Sequence, residues 1–174
     1  MADAFGWVGR PEIRNISQIE GPIILQTRLY TSKQMGDACE MVVAAELTLA
    51  GVPALKVPDN WPGYDVIAQP VGHSPQRVSV KSRTFKQGPS YVTYDDFDQF
   101  DWLAIVILLP DVTNGRAIYL IPRDVSDALA RRDKPTSKTA AERYFRVDQV
   151  ESLFAKYRNN FILDPVGRDV VAVP

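Results

Sequence analysis

One stretch constrains the fold more than any other: Trp102 to Pro110, WLAIVILLP, carries no charge and no alternation of polar and apolar side chains. Such a run reads as a strand inside a sheet that is covered on both faces. It is too short to cross a bilayer. Covering both faces takes further layers, and flanking helices are expected to supply them.

The flanking pattern supplies candidates. Ser32–Ala50 reads as a helix, capped by Thr31 or Ser32 and closed by Gly51, with Cys39, Val42, Val43, Leu47 and Ala50 on one stripe. VPALKVP is a short extended segment and NWPGYD a turn. DVIAQP is a strand, VGHSPQ a hairpin loop and RVSVKSRTF the next strand. Alternation puts Val78 and Val80 on one side of that strand and Arg77, Ser79, Lys81 and Arg83 on the other. AIYLIP is a further strand after a TNGR turn, whereas YVTYDDFDQF fits no single element. RDVSDALARRD suggests a short helix, DKPTSKTAAE a loop, and VDQVESLFAKYRNNF a final helix. PIILQTRLY near the N-terminus reads as a strand after the Gly21-Pro22 breaker. The order of helix, strands and helix predicts an α/β (α+β) domain with a mixed sheet.

Composition narrows the chemistry. With 174 residues and 45% apolar content, the chain is expected to form one domain with a real core. One cysteine, Cys39, excludes an intramolecular disulfide framework and a thiolate zinc cluster, and one histidine, His73, excludes a multi-histidine metal site. The N-terminus lacks a basic segment followed by an apolar one, so no signal peptide is read, and a cytoplasmic location without membrane association is expected. The net charge of −1 leaves no global footprint for nucleic acid. Locally, Arg77, Lys81, Arg83 and Lys86 form one basic cluster, and Arg131, Arg132, Lys134, Lys138, Arg143 and Arg146 a second.

Three residues carry the chemical pattern. Glu40 falls at the rim of the helix stripe, on the face shared by Gly36, Val43 and Leu47, and Gly36 leaves room one turn earlier. Asp65 opens a strand after Gly63-Tyr64. Lys81 follows Val78-Ser79-Val80 on the next strand. Trp61, Trp102 and Tyr94 are aromatic candidates for base stacking, with Trp61 the one in a turn and Trp102 in the core strand. His73 reads as a plain loop residue.

With these motifs in place, the segment MGDACEMVVAAELTLAGVPALKVPDNWPGYDVIAQPVGHSPQRVSVKSR resembles the core of the PD-(D/E)XK nuclease superfamily, and is similar to its small Holliday-junction-resolvase-like and homing-endonuclease-like members. Gly36 to Glu40, Gly51 to Pro58, Tyr64-Asp65-Val66 and Ser79-Val80-Lys81-Ser82 are the counterparts, and the resemblance covers about residues 33–123. It implies a restriction-endonuclease-like mixed β-sheet core flanked by helices. A 1–32 N-terminal extension that could serve dimerisation would precede it, and a 124–174 C-terminal helical extension would follow.

The resemblance also implies Mg²⁺- or Mn²⁺-dependent cleavage of branched or duplex DNA, by an enzyme of repair, recombination, mobile-element or defence type acting as a homodimer. Asp65, Glu40 and the Val80 carbonyl would hold the ion, and Glu40, Asp65 and Lys81 would be the catalytic set. Ser79, Ser82, Arg83, Arg77 and Lys86 would contact substrate. Ser79 departs from the family pattern, which has Glu, Asp or Gln there. Three readings of that departure stand: Glu40 supplies the charge, one of Asp95, Asp96, Asp98 or Asp101 reaches in, or the site is degenerate and the domain binds nucleic acid or a protein without cutting.

Overall fold

The computed structural model describes residues 30–110, 112–113 and 115–167. The expected PIILQTRLY strand therefore lies outside the described residues but for Tyr30. Helix α1 spans Ser32–Leu49. Thr31 closes a capping box: its hydroxyl accepts the Gln34 N–H, and the Gln34 side chain accepts the Thr31 N–H. Such a box is worth about 1 kcal/mol. Gly51, at φ +90°, ends the helix in the left-handed region that favours glycine.

Strands β1 (Ala54–Lys56), β2 (Val66–Ala68) and β3 (Gln76–Thr84) form an antiparallel meander. Strand β5 (Trp102–Leu108) lies parallel to β3, and β6 (Arg116–Pro122) pairs antiparallel with β5, giving the order β1-β2-β3-β5-β6. The apolar run thus sits inside a mixed sheet, and all of Trp102–Ile107 is buried. Each fully buried Leu, Ile or Val there contributes about 1.5–3 kcal/mol. Helix α1 covers one face of the sheet through Met35, Cys39, Val43, Ala44 and Leu47, which pack on Val66, Val78, Val80, Ala104 and Val106.

The other face is covered differently from the expectation. Strand β4 (Tyr91–Asp95), β7 (Arg131–Arg132) and β8 (Glu142–Arg146) form a second sheet in the order β4-β8-β7. Its inner residues Val92, Tyr94 and Phe145 pack on Leu103, Ile105 and Tyr119 of the first sheet, joined by Val150 and Phe154 of α3 (Val150–Phe154). Within the expected 124–174 helical extension, the described residues to 167 include the strands β7 and β8 as well as helices. After α2 (Arg123–Leu129) the chain returns as β8, which pairs with β4 inside the expected core. The expected last helix is a broken one: α3 is flanked by one-turn 3₁₀ segments, and Asn159 follows with φ 52°. No helix among the described residues is long and apolar enough to cross a membrane.

Candidate active site

Helix α1 sets the first carboxylate. Its buried stripe turns Gly36, Asp37 and Glu40 toward the loop that follows β1, and the Glu40 side chain keeps only 16% of its surface exposed. A Cβ on Gly36 would meet nothing within 4 Å, so the helix leaves open space one turn before Glu40.

A constrained turn sets the second. Gly63 has φ +83°, and a Cβ there would lie 2.7 Å from the Gln99 backbone nitrogen, so only glycine fits between the two loops. The Asp65 backbone divides between neighbours: its N–H donates to Val78 O at 3.0 Å, and its carbonyl accepts the Val57 N–H at 2.9 Å. Strand β2 begins at Val66, opposite Val78, so the next edge position of β3 has no β2 backbone to bond. The Asp65 carboxylate takes that place. Its Oδ2 accepts the Val80 N–H at 2.6 Å and the Ser79 hydroxyl at 3.3 Å. In a strand the N–H and C=O of one residue face the same edge, so the Val80 carbonyl is directed toward the side of β3 where Asp65 stands.

Glu40 and Asp65 both line one cavity of about 210 Å³, with Lys33, Gly36, Asp37, Val57, Pro58 and Asp59. Oxygens of Asp37, Glu40 and Asp59 lie within 4.8 Å of one another. Lysines balance them: Lys56 Nζ stands 2.7 Å from Glu40 Oε2 and 2.6 Å from Asp59 Oδ1, and Lys33 Nζ reaches Asp59 at 2.5 Å and Asp37 at 3.1 Å. Hydrogen bonds to Asp59 and then Glu40 raise the Lys56 pKa, and those from Lys33 and Lys56 hold Asp59 down at about 2. A donor set made only of carboxylate oxygens suits a hard cation such as Mg²⁺ or Mn²⁺.

Sequence reading missed Asp37, Asp59, Lys33 and Lys56. Asp37 was in reach, since it precedes Glu40 by three positions and shares its helix face. Asp59 and the two lysines depend on how the loop after β1 docks against α1, which no local pattern reports.

Lys81 is placed apart from this cavity. It projects from β3 on the side of Ser79, away from Val78 and Val80, and its Nζ lies 3.5 Å from Asp98 Oδ2. The other expected contacts are dispersed. Ser79 and Ser82 are buried, Ser82 beside the Cys39 thiol. Arg83 donates to the carbonyls of Tyr91 and Ser82, and Lys86 is exposed. Arg77 is bound by Asp101 through its N–H and guanidinium, which holds the Asp101 carboxyl below its ordinary range. Both border a wider depression of about 840 Å³ near Phe97 and Arg123. Of the acidic residues considered for the missing ligand, Asp98 meets Lys81, Asp101 meets Arg77 and Asp96 meets Arg143; Asp95 is exposed, and none of the four lines the Glu40–Asp65 cavity. Trp102 is buried, Tyr94 is buried with its hydroxyl on Asp127, Trp61 is half exposed, and His73 is an exposed loop residue.

The helix, the three-stranded meander and the strand parallel to β3 follow the order that the sequence resemblance implies. Comparison with known proteins adds two similar solved structures. One is a bacterial homing endonuclease, I-Ssp6803I, at 20% identity and TM-score 0.49, with 78% of this chain and 92% of that chain covered. The other is Hjc, a Holliday junction resolvase from Archaeoglobus fulgidus, at 16% identity and TM-score 0.39, covering 66% of this chain and 90% of that one. No family model and no curated protein matches the chain. At these values the similarity is one of backbone path and carries neither activity nor substrate across.

Proposed function

We propose that the protein is a divalent-metal-dependent DNA endonuclease whose active site is built on Glu40, Asp65 and Lys81. The observation that carries this reading is that Glu40 and Asp65 line one cavity, with the Val80 N–H bonded to the Asp65 carboxylate. Asp65, Glu40 and the Val80 carbonyl would hold Mg²⁺ or Mn²⁺. A bound ion of this kind lowers the pKa of water and offsets charge on a phosphoryl oxygen.

The residues divide the remaining work. Asp65 is oriented by the Val80 N–H and the Ser79 hydroxyl, so its free oxygen is directed without needing a carboxylate at position 79. Glu40 supplies the second negative charge. Lys81 would orient the attacking water and stabilise charge that grows on the phosphate, which requires it to leave Asp98 and reach the Glu40–Asp65 cavity, which it does not line. Arg83, Arg77 and Lys86 offer cationic contacts to the backbone, while the buried Ser79 hydroxyl holds Asp65 and Ser82 lies against Cys39 of α1. A homodimer would place two such sites on two strands.

A second reading has its own observation. Lys56 already occupies Glu40, and Lys81 already occupies Asp98, so the same fold could bind nucleic acid or a protein partner without cutting. Incubation with plasmid and with branched DNA, with Mg²⁺, Mn²⁺ or a chelator, separates the two. Ion-dependent cutting supports the enzyme; intact DNA on every substrate, with no heat of ion binding, supports the inactive domain.

A further inference from the structure

The two basic clusters seen in the sequence are about fifty residues apart, yet the fold brings Arg83 of the first to the same sheet end as Arg131 and Arg146 of the second. Pairing of β4 with β8 sets Tyr91 opposite Arg146 and Thr93 opposite Tyr144, and β7 sets Arg131 opposite Tyr144. Because the alternate residues Val92, Tyr94 and Phe145 face the core, Tyr91, Thr93, Tyr144 and Arg146 face outward. Tyr91 and Tyr144 are diagonal neighbours that meet edge to face, with ring centroids 5.5 Å apart, and Tyr91 stays 38% exposed. Arg83 of β3 joins the same end by donating to the Tyr91 carbonyl.

The charges on this surface are of two kinds. Arg146 is neutralised by Asp148, and the Tyr144 hydroxyl bonds Asp133. Arg83 and Arg131, by contrast, bond only neutral oxygens, carbonyls for Arg83 and the Gln149 side chain for Arg131. Among the described residues neither they nor Lys86 has a carboxylate within ion-pair distance. At the far end of the same face Asp95 stands opposite Glu142. The two tyrosines therefore lie among Arg83 and Arg131, which have no carboxylate partner among the described residues, and the paired groups Arg146–Asp148 and Tyr144–Asp133, while the far end carries Asp95 and Glu142.

We propose that the Tyr91–Tyr144 end of the second sheet binds single-stranded nucleic acid. Bases or sugars rest on the tyrosine faces and phosphates meet Arg83 and Arg131. Aromatic rings flanked by cations that lack internal partners are the arrangement that unpaired strands recognise, because every base has a face to stack while the phosphates supply the counter-charge. A duplex hides its base faces and would leave the tyrosines unused. The inference rests on the nuclease reading only for the purpose of the bound strand, which would be the unpaired arm of a branched or nicked substrate.

The test is fluorescence anisotropy of a labelled oligothymidylate of about 12 nucleotides, within the range of known single-strand site sizes, with the full chain at low salt in a chelator. Binding is expected to weaken at least fivefold in Tyr91→Ala and to be retained in Tyr91→Phe. The Arg83→Ala/Arg131→Ala double variant should lower the slope of log K against log salt by about 1.4, or about 0.7 for each phosphate that is no longer neutralised. Circular dichroism confirms that each variant is folded. No binding by the parent protein, an unchanged salt slope, or equal affinity for a duplex of the same length overturns the proposal. Because no metal is present, strand binding without cutting under any condition would count against the nuclease reading alone, and cutting without strand binding would count against this inference alone.

Discussion

Ser79 and Asp65 face each other across the opening of the β2–β3 pair, with the Ser79 hydroxyl 3.3 Å from Asp65 Oδ2. Ser79 is almost completely buried, so its hydroxyl serves Asp65 rather than solvent. At that distance the hydrogen bond is weak, and the 2.6 Å bond from Val80 is the firmer hold on the carboxylate. Ser79→Ala should therefore keep cleavage within about fivefold of the parent, the equivalent of about 1 kcal/mol for one neutral hydrogen bond. Initial rates on plasmid DNA check this. A loss as large as that of Asp65→Ala would show that the hydroxyl has a direct part in the reaction.

Lys56 sits among the carboxylates that a divalent ion would use, 2.7 Å from Glu40. Removing its charge leaves Glu40 without that partner and makes the cavity more attractive to a cation. Lys56→Met is expected to tighten Mg²⁺ binding by about tenfold, equivalent to about 1.4 kcal/mol. Titration calorimetry reads the affinity directly, and weaker binding in the variant would mean that Lys56 organises the carboxylates rather than competing for them.

Gly63 holds the turn that delivers Asp65. Replacing it by alanine forces a left-handed conformation on a residue with a Cβ and drives that atom against the Gln99 backbone. The conformational part alone costs about 1 kcal/mol or more. Gly63→Ala should lower the melting temperature and reduce cleavage further than the stability loss explains, because Asp65 lies two residues on. A variant that melts lower but cuts at the parental rate would detach the turn from the site.

The Arg77–Asp101 pair gives the fold a pH dependence. Asp101 has its pKa lowered chiefly by the Arg77 side chain, so its contribution to stability is present above the ordinary aspartate range and is lost as the pH falls through the lowered value. Asp101→Asn should cost about 1–2 kcal/mol at neutral pH, reduced by solvent screening of a pair that is part exposed. It should also flatten the acid limb of a denaturation profile carried from neutral pH to well below the ordinary aspartate value. An unchanged acid limb would place the acid sensitivity elsewhere.

Elements with strong local signals were legible in the sequence. Helix α1 has a cap, an apolar period and a closing glycine, and the observed Ser32–Leu49 agrees with the reading to one residue. Strand β5 announced itself by composition alone, and Trp102 is buried as expected. Strand β8 did not, because ERYFR alternates charge with aromatic side chains and follows a run of small polar residues. Only its pairing with β4 makes it a strand. The last helix was read too long, since the apolar period of 147–157 continues through two 3₁₀ turns that a helical pattern does not distinguish. At the site, Glu40 and Asp65 each carry a weak local signal and only the family resemblance joins them; both line one cavity. The partners of Glu40 were not legible, because Lys56 and Asp59 reach it only through the docking of the loop after β1.

Single-turnover cleavage of a branched DNA substrate in Mg²⁺ tests the central claim most directly, with Asp65→Ala and Lys81→Ala measured beside the parent protein. The account predicts ion-dependent cutting by the parent and a loss of at least about a hundredfold in each variant, the scale expected when an essential general base or charge-stabilising group is removed. Cutting that survives both substitutions, or the absence of cutting by folded parent protein with Mg²⁺ or Mn²⁺, would contradict it.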